Sequence, residues 1–136
     1  MRGGFVHVSL QTNRRDLVRA TVEGIAHNLG WLLPHVEAFT GEPIDEIAFM
    51  GGAARSGPWC QILADVLNRA VLPLADPELG AARAMALRAL GREAAPDTTT
   101  NRYDPDPAHR ARYDTRQVQF EAAYAALLPI SEALHD

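Results

Sequence analysis

The stretch from Ile44 to Val66 constrains this chain more than any other. It reads as strand, tight turn and helix. Ile44, Ile47, Phe49 and Met50 are strand-like apolar residues that lead to the pair Gly51-Gly52. Adjacent glycines give the backbone access to positive φ and let a ligand come close. Ser56 or Gly57 then caps a helix, and Pro58 suits its first turn, where a missing N–H costs nothing. Trp59, Ile62, Leu63, Val66 and Leu67 recur at helical spacing, so that helix has one apolar face. A glycine turn that opens onto a helix N-terminus presents free N–H groups and a positive dipole end, which suits a phosphate.

The spacing from Gly52 to Gly57 is that of a P-loop, but Pro58 and Trp59 stand where Lys and Ser or Thr belong. The pattern is not Gly-x-Gly-x-x-Gly either. From the residues alone, a phosphate loop and an ordinary strand-to-helix turn both remain open.

Around this centre, elements alternate. Phe5 to Leu10 places Val6, Val8 and Leu10 on one side, which predicts a strand. Thr12 or Asn13 caps a helix that keeps its spacing to Gly41, with Asp16 well placed in its first turn. Pro34 predicts a kink near Gly30 to Pro34. Gly24 predicts close packing of this helix on the sheet, and Arg19 with Glu23 an i, i+4 surface pair. His7 reads as a surface or cross-strand residue, and His27 and His35 lack metal-ligand spacing and read as structural. Ala70 to Leu74 is a short strand, and Pro73 predicts an edge position. Glu78 to Leu90 is an alanine-rich helix whose small start, Gly80-Ala81-Ala82, allows close approach. Gly91 to Pro107 turns polar and proline-bearing, a loop or strap. Ala108 to Leu128 is a last helix with Tyr113, Phe120, Tyr124, Leu127 and Leu128 as its packing stripe, ended or bent by Pro129. Alternation of strand and helix argues for an α/β fold, a mainly parallel sheet with flanking helices and an extra C-terminal helix.

At 136 residues this is one domain or part of one. A net charge of −4 argues against nucleic acid, whose partners need a basic patch. No apolar run reaches membrane-spanning length and no apolar leader follows Met1, so no membrane partner is expected and the cytoplasm is the expected compartment. The single Cys60 excludes an internal disulfide, and with no histidine near it in sequence it reads as a buried apolar residue.

Gly51-Gly52-Ala53-Ala54-Arg55-Ser56, followed by Trp59 and Gln61 to Val66, resembles the C-terminal-domain signature of the FGGY carbohydrate kinases, and is most similar to xylulokinase-like members. Leu17 to Leu29 resembles the helix these kinases carry upstream, and Gly80-Ala81-Ala82 their downstream helix start near the nucleotide. The likeness covers roughly residues 3 to 128. It implies part of a ribonuclease-H-like, actin-like ATPase domain, from its third strand onward, without the two strands that lie between strands three and four. Residues 1–92 would form the partial nucleotide-binding domain, and 93–136 a strap and helix on the same domain. Such kinases transfer the γ-phosphoryl group of Mg-ATP to a sugar hydroxyl, a xylulose-like pentulose being favoured here. Carried over by position, the nucleotide-binding residues are Gly51, Gly52, Ala53 and Ser56, with Arg55 at most a neighbour of adenine or ribose. Ala53 departs from the family, where many members have a third glycine. No residue matches the family's base aspartate and none is expected to bind metal, so the chain is expected to be inactive without an N-terminal half that carries the sugar site. A truncated, non-catalytic binding module and an actin-like structural ATPase fragment are the alternative readings. With its central strands missing, the chain is also expected to self-associate.

Overall fold

A computed structural model describes residues 4–92 and 101–134. The order of elements is α1 (Arg14–Thr40), β1 (Glu46–Phe49), a 3-10 turn (Gly52–Arg55), α2 (Gly57–Leu67), β2 (Ala70–Pro73), a 3-10 turn (Pro77–Leu79), α3 (Gly80–Ala89), a third such turn (Pro107–His109) and α4 (Arg110–Ala133). The two strands pair in parallel, with Glu46 opposite Ala70 and Phe49 opposite Pro73. Parallel neighbours need a crossover, and α2 supplies it.

Asn13 is the cap of α1. Its side chain accepts the amides of Arg15 and Asp16 at 2.9 and 3.3 Å, while Asp16 accepts the amide of Asn13 at 3.0 Å. That reciprocal pair satisfies donors that the helix itself cannot. The helix ends on Gly41 at φ 78°, whose N–H reaches Glu37 O.

α2 is the centre of the core. Cys60, Leu63, Ala64, Val66 and Leu67 are buried against Ala26 of α1, Val71 of β2 and Tyr113 of α4, with Ile47 and Phe49 packed alongside. Of the apolar face read from the sequence, Leu63, Val66 and Leu67 are buried, whereas Trp59 and Ile62 are only half-buried.

Three expectations change. Phe5 to Leu10 forms no strand. His7 sits at φ 60°, and Phe5, Val6, Val8 and Leu10 are all exposed. A strand exists through its ladder, and no described strand lies beside this segment. α1 stays helical through Pro34 to Thr40. Trp31, one turn before it, is held edge-on against Tyr124 at 5.1 Å, so packing carries the helix past the lost bond. Gly24 does not mark close packing, because a Cβ there would meet nothing within 4 Å. β2 is not a bare edge either. Val71 exchanges both backbone hydrogen bonds with Tyr103, at 2.9 and 3.0 Å, so the strap caps its outer side. α4 likewise continues through Pro129 to Ala133.

α4 is fastened at two buried carboxylates. Asp65 of α2, 4% exposed, faces His109 Nδ1 at 2.8 Å, and also accepts the Asp106 amide and the Gln61 side chain. Glu23 of α1 accepts from Arg19, from Arg112 and Arg116 of α4, and from the Tyr113 hydroxyl at 3.0 Å.

Candidate functional site

β1 runs out at Phe49, and Met50 to Ser56 turns the chain back into α2. Ligands of open α/β sheets bind beyond such carboxyl ends of strands. Gly51 takes φ 92° and ψ 172°, a region closed to side chains with a Cβ. Its amide donates to Pro77 O at 2.7 Å, which ties the loop to the turn before α3. Gly80, at the start of α3, lies so close to Met50 that an added Cβ would stand 3.0 Å from its sulfur. Across the same junction Arg55 pairs with Glu78 at 3.4 Å, both largely exposed.

The amides of the turn are unequally spent. Gly51 N is used by Pro77, Ala54 N by Gly51 O, and Ser56 N by Ala53 O. Gly52 and Ala53, the first residues of the 3-10 turn, have no backbone or side-chain acceptor among the described residues. Gly52 is exposed, and a Cβ there would enter open space. Ser56 stands at the N-cap of α2, but its hydroxyl makes no capping bond. Two neighbouring N–H donors, a hydroxyl without a capping bond and a helix N-terminus therefore lie on one turn.

Gly51, Gly52, Ala53 and Ser56 are thus brought together on one turn, with different parts. Gly51 shapes the loop. Gly52, Ala53 and Ser56 supply donors. Ala54 is turned inward and 6% exposed, and Cys60 Sγ lies 3.5 Å from its carbonyl. Burial pushes the Cys60 thiol up from its ordinary pKa, which makes it a poor nucleophile. Among the described residues, no three of His, Cys, Asp and Glu converge as a metal-holding group.

The first ninety residues match the model of the FGGY family of carbohydrate kinases, C-terminal domain. The chain belongs to the FGGY family of carbohydrate kinases. Among its relatives, the xylulose kinase of Staphylococcus xylosus is 29% identical over 93 residues, which is 68% of this chain and 19% of that protein. The erythritol kinase of Brucella abortus is 33% identical over 144 residues, 98% of this chain and 27% of that protein. The crystal structure of xylulose kinase from Rhodospirillum rubrum superposes with a TM-score of 0.75 at 30% identity, covering 96% of this chain and 28% of that one. The fold is therefore a part of the actin-like domain of these kinases, and the chain spans about a quarter of the length of such relatives.

Sequence reasoning missed the Glu23 cluster. Arg19 with Glu23 was visible as a helical pair, but Arg112, Tyr113 and Arg116 arrive from about ninety residues away. Burial raises the pKa of the Glu23 carboxyl. The hydrogen bond from Arg19, the charge of Arg116 and the Tyr113 hydroxyl outweigh it and hold the group below the usual carboxylate range. Burial likewise pushes the Tyr113 hydroxyl up. These groups join helices and none of them touches the glycine turn.

Proposed function

We propose that this FGGY chain is the ATP-binding end of a sugar kinase that transfers the γ-phosphoryl group of Mg-ATP to a sugar hydroxyl, with a xylulose-like pentulose as acceptor. The observation that carries the reading is the pair of unspent amides at Gly52 and Ala53, at the carboxyl end of β1, where a Cβ on Gly52 would enter open space. These amides and the Ser56 hydroxyl donate to phosphate oxygens of the nucleotide, Gly51 sets the turn, and Arg55 stands beside the adenosine. Phosphoryl transfer is catalysed mainly by positioning and charge stabilisation. The choice of pentulose rests on the names of the xylulose kinases that resemble the chain, and an erythritol kinase resembles it as well.

In this reading the sugar, the general base and the ligands of Mg2+ belong to an N-terminal half. A general base must lie within hydrogen-bond reach of the proton it takes. Glu23 and Asp65, the buried carboxylates among the described residues, are already engaged in holding α4. We therefore propose that the chain is inactive alone. Residues 1–92 form the nucleotide-binding part, and α4 belongs to the same domain, as its bonds to Glu23 and Asp65 suggest.

The test is Gly52→Val in the chain joined to its N-terminal half. Position 52 has no positive φ and nothing within 4 Å of an added Cβ, so the fold is spared while the side chain covers the donors. The ATP KM should rise at least tenfold, a loss of about 1.4 kcal/mol, with sugar affinity little changed. An unaltered ATP KM would remove the assignment.

A further inference from the structure

The segment between β2 and α3 carries backbone strain that core packing does not explain. Asp76 sits at φ 49° and ψ 59°, a left-handed conformation uncommon for a residue with a side chain. Such a conformation costs free energy and persists only where its surroundings fix it. The turn it opens, Pro77–Leu79, contributes no buried residue. Its bonds go instead to the end of β1 and to the glycine turn. Leu74 N donates to Phe49 O at 2.9 Å, and Gly51 N donates to Pro77 O at 2.7 Å.

Between these two bonds Met50 lies against Gly80. A Cβ at Gly80 would stand 3.0 Å from the Met50 sulfur, 3.2 Å from the Met50 Cβ and 3.3 Å from Leu74 Cδ1. Gly80 has ordinary helical angles, φ −52° and ψ −47°, where alanine is favoured over glycine. Its missing side chain therefore answers to space and not to backbone conformation. Residues 49 to 51 are thus held by residues 74 to 80, and they set the direction in which the chain leaves for Gly52 and Ala53.

We propose that Gly80 and Asp76 are positioning residues for the nucleotide, which act through Met50 and Gly51 to aim the unspent amides of Gly52 and Ala53. The inference rests on the phosphate-binding role proposed above for those amides. Gly80 lets the start of α3 come close behind Met50. Asp76 turns the Pro77 carbonyl toward the Gly51 amide. Neither side chain touches the ligand. Hydrogen bonds weaken steeply with distance and angle, so a small displacement of Met50 reaches the phosphate through the two amides.

The test uses the chain joined to its N-terminal half. Gly80→Ala should raise the ATP KM at least about threefold and weaken ADP inhibition by the same factor. Inhibition by adenosine, which has no phosphate for the amides, should stay within about twofold, as should kcat and the sugar KM. In a Met50→Gly background, which removes both Met50 contacts, Gly80→Ala should cost much less ATP binding. Asp76→Val should reproduce the ATP defect, because a β-branched residue resists positive φ, whereas Asp76→Gly takes φ 49° freely and should match the parent. The Asp76 pair carries the test by itself if Gly80→Ala fails to fold. An unaltered ATP KM in folded Gly80→Ala, equal loss of adenosine, no relief by Met50→Gly, or equal defects in Asp76→Val and Asp76→Gly would each overturn the proposal. If Gly52→Val raises the ATP KM and Gly80→Ala does not, the positioning role alone fails. If neither raises it, the nucleotide assignment of the turn falls and this role with it.

Discussion

Gly51 and Gly52 are neighbours that do different work. A side chain at Gly51 would strain a backbone held at φ 92°, whereas one at Gly52 would only occupy space above the donors. The first change acts on folding, the second on ligand. The two buried carboxylates act on folding as well. Asp65→Ala removes the acceptor of His109 Nδ1, of the Asp106 amide and of Gln61 together. It should cost about 2–3 kcal/mol in urea unfolding, the range for leaving polar groups unpaired, and an unchanged midpoint would show that Asp65 does not hold α4. Glu23 makes a pH-dependent contribution. Its folded pKa is depressed, so its stabilisation is present above the unfolded value of about 4.3 and is lost as pH falls through the folded pKa. Glu23→Gln should lower stability at pH 7 and flatten the fall between pH 5 and pH 3. Glu37, also depressed by the Ile44 amide and Arg69, keeps part of that slope. Parallel pH profiles for parent and Glu23→Gln would contradict this.

At the scale of elements, local signals carried far where they were strong. The apolar spacing of Trp59 to Leu67, the glycine pair and Pro58 locate β1, the turn and α2, and Asn13 with Asp16 marks the start of α1. Phe5 to Leu10 has the alternation of a strand and is not one, because alternation describes faces and not the ladder partner that makes a strand. Pro34 and Pro129 lie inside helices whose long-range packing no local pattern discloses. The candidate site was readable as residues but not as donors, since which amides of the turn are spent depends on Pro77. β1 has β2 on one side and no described strand on the other. Beside it, Leu29, Leu32, Val36 and Ile44 line an apolar groove of about 340 Å³. An uncovered edge next to apolar surface favours association. Light scattering after size exclusion should find the isolated chain self-associated, and a monodisperse monomer with one sharp thermal transition would contradict that.

For the whole molecule, the chain spans about a quarter of the length of the FGGY kinases it matches, and the buried carboxylates Glu23 and Asp65 are engaged in holding α4. Domains of this kind act across a cleft that closes and excludes water. In the function proposed above, this chain positions the nucleotide, and the base, the sugar and the closure come from an N-terminal half. The most direct measurement is ATP-dependent phosphorylation of D-xylulose and related sugars by the purified chain, alone and co-expressed with the N-terminal half of a close relative. Sugar-dependent turnover is predicted only for the mixture, and it should be lost when the mixture carries Gly52→Val. Sustained sugar-dependent turnover by the chain alone would contradict the account, because it would require a general base within this chain.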